Sequence, residues 1–271
     1  MLKAFSLEGK TALVTGGGRG IGKAIALTMA EAGADVAVTA RTEREIEETA
    51  KEVQGLGKRS LAIKTDVSDS RQVDEMVAKA THSLGRIDIL VNNAGIGEGA
   101  PVASLPDVPG RKGNRDDAEG TSDEMWSRTI EVNLNSAFYC CRAVAPQMLK
   151  RQAGKIINVS STSAILASPG VGAYNASKAA MNMLTKTLAM EWAPYNVNVN
   201  GIGPGWFVTE MTRVGFEDPA IHQQRLSEVP LGRLTDLQDL GFLAVYLSSP
   251  ASDWMTGQII YLDGGETALH T

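Results

Sequence analysis

Short apolar runs alternate with longer helix-like segments along most of the chain. A run such as Ile87–Asn92 is largely apolar, which is typical of a strand covered on both faces of a parallel sheet. Between the runs, segments of helical length occur, and Glu43–Leu56, rich in Glu and Lys, predicts an exposed helix. The predicted strands are Thr11–Thr15, Asp35–Ala40, Leu61–Thr65, Ile87–Asn92, Lys155–Val159, Val197–Ile202 and Gln258–Leu262. The predicted helices are Ile21–Ala32, Glu43–Leu56, Ser70–Leu84, Ser122–Leu149, Ala173–Ala193 and Leu237–Ser248.

This alternation predicts the fold class. Consecutive parallel strands need a crossover connection, and a helix in each crossover covers one face of the sheet. We therefore predict an α/β, Rossmann-type fold, a doubly wound parallel sheet of about seven strands with helices on both faces. No linker or second hydrophobic core interrupts the pattern, so we expect a single domain over residues 1–271.

One segment departs from the alternation. Pro106–Thr121 is polar, charged and rich in Gly and Pro, and it has neither helical nor strand periodicity. It is longer than an ordinary connection between a strand and a helix, which has about 2–6 residues. We predict a surface insertion at about 106–121. It is either a tolerated irregular loop or, because it leaves the carboxyl side of the fourth strand, a lid or subunit-contact loop.

The charge balance limits the classes of partner. The chain has 271 residues, a formal net charge of −5 and no basic block. Duplex nucleic acid and anionic membranes are bound through clustered Lys and Arg, and a bilayer-spanning helix needs ~20 apolar residues in a row. The chain offers neither feature, so we expect no nucleic-acid partner and no membrane partner.

The cysteines and the first residues predict the compartment. Cys140 and Cys141 are the only cysteines and are adjacent in a predicted helix, so they point in different directions and suit neither a disulfide nor a metal pair. Met1–Lys10 lacks the apolar core of a signal peptide. We therefore expect a cytoplasmic protein without a metal site.

A glycine-rich turn follows the first predicted strand. The sequence TGGGRGIG, Thr15–Gly22, places three glycines in a G-x-x-x-G-x-G spacing, directly before the first helix. Glycines let the backbone turn tightly and approach a pyrophosphate, and the free N–H groups of a helix start attract the anion. The turn predicts a dinucleotide site whose candidate residues are Gly16, Arg19, Gly20, Ile21 and Gly22.

The end of the second strand indicates which dinucleotide binds. An NAD site usually has a carboxylate there for the ribose 2′-hydroxyl, but this chain has no carboxylate before Glu43. Arg41 instead offers a planar, permanently charged fork for a 2′-phosphate, and Arg19 would approach from the other side. Both arginines could also be ordinary surface residues, yet their shared position favours NADP(H).

Tyr174 and Lys178 lie four residues apart on one face of a predicted helix. A free phenol has a pKa of about 10, so proton transfer at neutral pH asks for about 3–4 kcal/mol of phenolate stabilisation. A nearby Lys⁺ and a positively charged nicotinamide would supply it. Asn158–Ser161 and Asn92–Gly95 follow the fifth and fourth predicted strands, at the sheet edge where such folds bind ligands.

Taken together, these motifs resemble those of the short-chain dehydrogenase/reductase family, in its single-domain subgroup, over essentially the whole chain. The resemblance implies an oxidoreductase that interconverts a carbonyl and a secondary alcohol. The matching elements are TGGGRGIG, Asp66-Val67, Asn92-Asn93-Ala94-Gly95, Asn133, Ser161, Tyr174-Asn175-Ala176-Ser177-Lys178, and Pro204-Gly205 with Thr209.

The resemblance implies a role for each matched residue. Tyr174 would be the general acid in reduction and the base in oxidation, and Lys178 would lower its pKa and hold the nicotinamide ribose. Ser161 would hydrogen-bond the substrate oxygen, and Asn133 would help hold a water in the proton relay. The implied cofactor-binding residues after the glycine turn and Arg41 are Asp66, Val67, Asn93, Ala94, Gly95, Tyr174, Lys178, Pro204, Gly205 and Thr209.

Some positions stay open. Ser163 either shares the task of Ser161 or caps a turn, and the spacing favours Ser161. Asn93 and Asn133 could instead tie strand ends to a helix. The side chains of Trp206, Phe207 and Met211 either line the substrate pocket or only cover the core.

Other functions fit less well. A serine hydrolase would need a histidine base in a recognisable context, and His82, His222 and His270 have none. A zinc enzyme would need clustered ligands, and a sugar-nucleotide epimerase would need an additional substrate domain. An NADP-binding sensor or scaffold is the non-enzyme alternative, although sensing needs no acid over the nicotinamide.

Within the family, two substrate classes are open. The stretches Phe5–Lys10 and Pro204–Thr212 look similar to gluconate 5-dehydrogenases and related enzymes of sugar acids and polyols. The general pattern is equally similar to 3-oxoacyl-carrier-protein reductases, but no concentrated basic patch is present for a carrier protein. We therefore favour a small polar ketone, sugar acid or polyol. The resemblance also implies a homotetramer, or a homodimer, assembled through the long helices and the last strand.

Overall fold

The computed structural model describes residues 2–104 and 120–269. Within them the chain forms one seven-stranded parallel sheet, which confirms the predicted fold class. The strand order is β3-β2-β1-β4-β5-β6-β7. The strands are β1 (Thr11–Thr15), β2 (Asp35–Ala40), β3 (Ser60–Lys64), β4 (Ile89–Asn92), β5 (Gly154–Val159), β6 (Val197–Pro204) and β7 (Ile259–Leu262).

Helices cover both faces of this sheet. The helices α1, α2 and α9 pack on one face, and α3, α5 and α6 pack on the other. The helices are α1 (Gly20–Glu31), α2 (Glu43–Gly55), α3 (Ser70–Leu84), α4 (Asp123–Ile130), α5 (Ser136–Arg151), α6 (Gly172–Trp192), α7 (Arg213–Glu217), α8 (Pro219–Ser227) and α9 (Gln238–Ser248). In the described residues no helix has the length and apolar character needed to cross a bilayer.

The central strands are apolar at consecutive positions because both of their faces are buried. All five residues of β1 are buried, and successive side chains point to opposite sides. Ala12 and Val14 belong to the core under α1, α2 and α9, whereas Leu13 belongs to the core under α3, α5 and α6. The sheet therefore separates two hydrophobic cores, and side chains pack against it from both faces.

The structure departs from the predicted helices at two places, and one predicted segment is not tested by it. The helix predicted over Ser122–Leu149 consists of α4 and α5 joined by a π-helical turn, Glu131–Asn135, and a single π turn is frequently a functional feature. The helices α7 and α8 were not predicted, because both are short and α8 has no buried residue that would create an apolar period. The predicted insertion, Pro106–Thr121, lies outside the described residues except for its last two positions.

The strand order positions the functional site. The chain builds outward from β1 to β3, then returns to place β4 on the other side of β1. The connections after β1 and β4 therefore leave in opposite directions and open a crevice at the carboxyl edge of the sheet. The glycine turn and the Asn92–Gly95 motif both lie at this edge.

Candidate active site

A cleft of about 490 Å³ runs along the carboxyl edge of the sheet. It extends from the loop after β2, across the glycine turn, to the N-terminal half of α6. Most residues predicted for the site line it, while Gly22 and Asn133 lie beneath its wall. The predicted residues that line the cleft are Gly16, Arg19, Gly20, Ile21, Arg41, Asp66, Val67, Asn93, Ala94, Gly95, Ser161, Tyr174, Lys178, Pro204, Gly205 and Thr209.

Four of the five glycines in the turn, all except Gly20, are packed too closely for a Cβ. A Cβ added to Gly22 would lie 2.2 Å from the Gly16 carbonyl oxygen, so α1 starts in direct contact with the turn. The Asn93 amide donates to the carbonyl oxygens of Thr15 and Gly16, at 3.0 and 3.1 Å. In return, the Thr15 hydroxyl accepts from the backbone N–H groups of Asn93 and Ala94. The side chain of Asn93 thus ties the loop after β4 to the turn, as its structural interpretation requires.

Charged side chains line the end of the cleft beside β2. Arg19 and Arg41 are both present there, but they are not equivalent. Arg19 Nη1 lies 3.3 Å from Glu45 Oε1, in an ion pair, whereas Arg41 has no such partner among the described residues. Asp66, after β3, accepts hydrogen bonds from the backbone N–H and the hydroxyl of Ser68, which fixes the turn before α3. At this end of the cleft the two arginines can therefore hold an anion, and the turn at Asp66 can contact a polar ring system.

Tyr174, Lys178 and Ser161 converge at the other end of the cleft. Tyr174 and Lys178 stand one helical turn apart on α6, and the Lys178 ammonium lies 5.7 Å from the centre of the Tyr174 ring. Lys178 Nζ donates to the Val159 carbonyl at 2.8 Å, so the last residue of β5 fixes the position of the ammonium. Ser161 follows β5 and its hydroxyl accepts from the Ser163 N–H at 3.1 Å.

Burial dominates the ionisation of both groups on α6. It raises the pKa of the Tyr174 phenol, while the hydrogen bond from Ser161 acts in the opposite direction. Burial also lowers the pKa of Lys178 from 10.5 to about 8. Within the chain by itself, desolvation of the phenolate is the larger effect on the pKa of Tyr174. That Lys178 lowers this pKa together with a bound nicotinamide stays a prediction. At neutral pH the phenol is protonated and can act as an acid.

The Asn133 side chain is completely buried and lies in the π-helical turn. Its Oδ1 accepts from the Ile96 N–H at 2.8 Å, and its Nδ2 donates to the Ile96 carbonyl and to the Ser177 hydroxyl, at 3.0 and 3.1 Å. The amide thus connects three parts of the chain: the loop after β4, the π turn and α6. Through these bonds it positions α6, and with it Tyr174.

Comparison with known proteins identifies the family. The family model for short chain dehydrogenases matches residues 10–220. The chain belongs to the short-chain dehydrogenase family, and it is an oxidoreductase of that family. The resemblance noted from the motifs is confirmed.

Individual relatives cover almost the whole chain. A 2-dehydro-3-deoxy-D-gluconate 5-dehydrogenase from Pseudoalteromonas atlantica is 39% identical, over 98% of both chains. A 3-oxoacyl-[acyl-carrier-protein] reductase from Staphylococcus epidermidis is 35% identical, over 94% of this chain and 98% of the relative. The crystal structure of a gluconate 5-dehydrogenase from Burkholderia cenocepacia, in complex with NADP and tartrate, superposes with a TM-score of 0.89 at 36% identity, covering 98% of each chain.

In this short-chain dehydrogenase, the residues after β6 divide between two environments. Phe207 is buried and lines the cleft, and Met211, which is more than half exposed, lines it opposite Gly97. Trp206 does not line the cleft but lines a second, small cavity, to which Phe207 also contributes. Ser163 likewise does not line the cleft, and its contribution is the backbone N–H that holds the Ser161 hydroxyl.

Three acidic residues that line the cleft were missed from the sequence. Glu98 forms an ion pair with Arg128 at 3.1 Å, and Glu210 forms one with Arg213 at 3.3 Å. The third, Glu45, was not singled out, because the sequence shows only that no carboxylate precedes Glu43 after β2. The sequence did hold a signal for it. Glu45 lies four residues before Thr49, which is on the buried side of α2, so the two residues share a helix face.

Proposed function

We propose that the protein interconverts a carbonyl and a secondary alcohol with NADP(H), and that its substrate is a small polar ketone, sugar acid or polyol. One observation supports this proposal above all. Tyr174, Lys178 and Ser161 converge at one end of the cleft, and Arg19 and Arg41 line the other end. An acid, a cation and a hydroxyl donor are what a carbonyl needs for protonation, and the arginines suit a phosphorylated dinucleotide.

The dinucleotide fits the residues of the cleft. The positive φ of Gly16, +64°, and the close approach of Gly22 create a bare backbone surface at the start of α1, where a pyrophosphate would bind. Arg41 and Arg19 would hold the 2′-phosphate, and Asp66 with Val67 would contact the adenine. Lys178 would hold the nicotinamide ribose, and Thr209 the carboxamide or phosphates. The NADP found in the Burkholderia cenocepacia relative supports this assignment.

When bound, the nicotinamide supplies or accepts the hydride, and the protein moves the proton. Tyr174 would donate its phenolic proton to the substrate oxygen in reduction and take a proton from the hydroxyl in oxidation. Ser161 would donate a hydrogen bond to the same oxygen. Lys178, protonated below its pKa of about 8, would stabilise the phenolate left after reduction. Burial raises the pKa of Tyr174, so the phenol of the chain by itself carries its proton at neutral pH, as the acid role requires.

Polar groups at the substrate end support a hydrophilic substrate. The cleft wall also includes Glu98 and Glu210, each in an ion pair with an arginine, together with Thr212. Such groups suit a substrate with several hydroxyls better than a long acyl chain. The sugar-acid activity in the name of the Pseudoalteromonas atlantica relative points the same way.

A 3-oxoacyl thioester carried by an acyl-carrier protein is the second candidate. The identity to the Staphylococcus epidermidis reductase favours it. An acidic carrier protein would need unpaired cations at the mouth of the cleft. Arg128 and Arg213 are both paired with glutamates that line the cleft, which argues against such a docking surface there.

The decisive experiment is a substrate screen followed through the nicotinamide absorbance. Purified protein is given NADPH with 5-ketogluconate, with other polar ketones and with an acetoacetyl thioester. We expect turnover with the polar ketones, and Tyr174→Phe should bind NADPH like the wild type but lose turnover. Preference for the thioester would replace the first candidate by the second. Wild-type rates in the Tyr174→Phe variant would contradict the proposed chemistry, and NADPH binding without turnover on any substrate would favour a sensor.

We also propose a homotetramer in the cytoplasm. Large apolar side chains on the outer faces of the long helices support assembly, among them Met183 and Met190 on α6, which are 63% and 80% exposed. Two free, buried thiols, Cys140 and Cys141, support a reducing compartment. Native mass spectrometry tests the first point: a monomer or a dimer would contradict the tetramer.

A further inference from the structure

Glu45 brings a carboxylate to the end of the cleft assigned above to the 2′-phosphate. It lines the cleft between Arg19 and Arg41, and it pairs with Arg19 at 3.3 Å. A Cβ added to Gly18 would lie 2.8 Å from Glu45 Cβ and 3.3 Å from Glu45 Oε2. The carboxylate therefore lies directly against the glycine turn.

The packing of α2 fixes this orientation. Ile46 and Thr49 on the same helix are completely buried, and the Thr49 hydroxyl donates to the Gly18 carbonyl at 3.3 Å and to the Glu45 carbonyl at 3.1 Å. The side chain of Glu45 is only 27% exposed, whereas that of Arg19 is 63% exposed. Of the two partners, the arginine is thus the one with freedom to move.

Three other acidic residues of α2 pair with different cations, and Glu47 does not line the cleft either. Glu43 pairs with Lys64, Glu48 with Arg44 and Glu52 with Lys23. None of these three glutamates lines the cleft. The position of Glu45 is therefore specific to one face of the helix.

A carboxylate there affects the two dinucleotides in opposite ways. It accepts a hydrogen bond from a ribose 2′-hydroxyl, which is how NAD sites recognise this group. It repels a 2′-phosphate, and it also occupies one of the two arginines that the phosphate would use. Of these two arginines, only Arg41 then lacks a carboxylate partner among the described residues.

We propose that Glu45 sets the cofactor preference and gives the protein a second activity with NAD(H). With NAD(H), the Glu45 carboxylate accepts the 2′-hydroxyl. With NADP(H), Arg19 leaves Glu45 and pairs with the 2′-phosphate instead. The repulsion between the Glu45 carboxylate and the phosphate then limits the preference for NADP(H) over NAD(H). This inference rests on the dinucleotide dependence proposed above.

The test compares two fragments that lack the nicotinamide, so that catalysis is not involved. Binding of ADP-ribose and of 2′-phospho-ADP-ribose is measured by titration calorimetry on the wild type, on Glu45→Gln and on Glu48→Gln. The last variant removes the same charge from the same helix at a residue that does not line the cleft, and it serves as the matched control. Thermal melting verifies that all three proteins are folded.

We expect wild-type protein to bind both fragments. Glu45→Gln should bind 2′-phospho-ADP-ribose about tenfold more tightly and ADP-ribose several-fold more weakly, as expected for loss of one charge and one charge-assisted hydrogen bond. The ratio of kcat/KM for NADPH to that for NADH should rise in parallel. The Glu48→Gln control should match the wild type within about twofold, because exposed charges are well screened.

The outcomes separate this inference from the proposed function. Wild-type protein that binds neither fragment contradicts dinucleotide dependence itself. Wild-type protein that binds only the phosphorylated fragment contradicts the second activity alone. If Glu45→Gln weakens binding of the phosphorylated fragment, or changes neither affinity, Glu45 only positions Arg19 or is inert, and the inference is wrong.

Discussion

The buried ammonium of Lys178 should make the protein less stable than it would be without that charge. Lys178 is 4% exposed, and burial lowers its pKa from 10.5 to about 8. At 1.36 kcal/mol per pKa unit, the charged form costs about 3 kcal/mol of unfolding free energy at neutral pH. The single hydrogen bond that the ammonium donates, to the Val159 carbonyl, offsets only part of this cost.

The pH dependence follows from the direction of the shift. Because the pKa of Lys178 is lower in the folded protein, the unfolded chain binds more protons between pH 8 and pH 10.5. Stability contributed by this residue therefore rises with pH through that window and is smallest below it. From pH 7 to pH 9 the wild type should gain about 1 kcal/mol from this group alone.

Lys178→Met tests this reasoning, because methionine keeps the apolar length and removes the charge. At pH 7 the variant should be as stable as the wild type or about 1–2 kcal/mol more stable, since the unpaired Val159 carbonyl costs part of the gain. Turnover should be lost, because the variant lacks the ammonium that stabilises the phenolate. The opposite effects on stability and turnover are expected where a charge placed for catalysis lowers stability.

The assay is urea unfolding followed by circular dichroism at pH 7 and pH 9. Lys186→Met, at an exposed lysine of the same helix, controls for the general loss of a positive charge. The variant at Lys178 should lack the gain between the two pH values, and the variant at Lys186 should retain it. Equal pH dependence in all three proteins would refute the argument that Lys178 is desolvated.

Further predictions concern the glycine turn, the core and the proton transfer. Gly22→Ala should abolish dinucleotide binding and lower the melting temperature, because the new Cβ would lie 2.2 Å from a carbonyl oxygen. The control Gly55→Ala, whose Cβ would have nothing within 4 Å, should be neutral or stabilising by up to about 1 kcal/mol. Asn158→Ala should lower the free energy of unfolding in urea by about 2–3 kcal/mol, because it breaks two buried hydrogen bonds of 2.8 Å. A double-mutant cycle with Thr185→Val should show a coupling energy of about 1 kcal/mol. Because burial raises the pKa of Tyr174, alcohol oxidation should accelerate from pH 7 to pH 9 by up to about tenfold per pH unit, and a flat rate profile would contradict this.

Local sequence determined the elements and most residues of the candidate site. The helix over Ser70–Leu84 was predicted with its observed bounds, because its ends are marked locally. The Asp69 carboxylate accepts from the first backbone N–H groups, and Gly85 adopts the positive φ, +98°, that ends the helix. Likewise, consecutive apolar residues predicted strands buried on both faces, since that pattern has few other stable solutions.

Tertiary structure decided how these elements meet. The strand order depends on contacts between distant parts of the chain, and the π turn that carries Asn133 is fixed by its bonds to Ile96 and Ser177. Which glutamate of α2 lines the cleft depends on how α2 is rotated against the glycine turn, and burial of Ile46 and Thr49 sets that rotation. Sequence spacing specifies which residues share a helix face, but only packing decides where that face points. For that reason the reaction class follows from the sequence, while the balance of charges around the 2′ position follows from the fold.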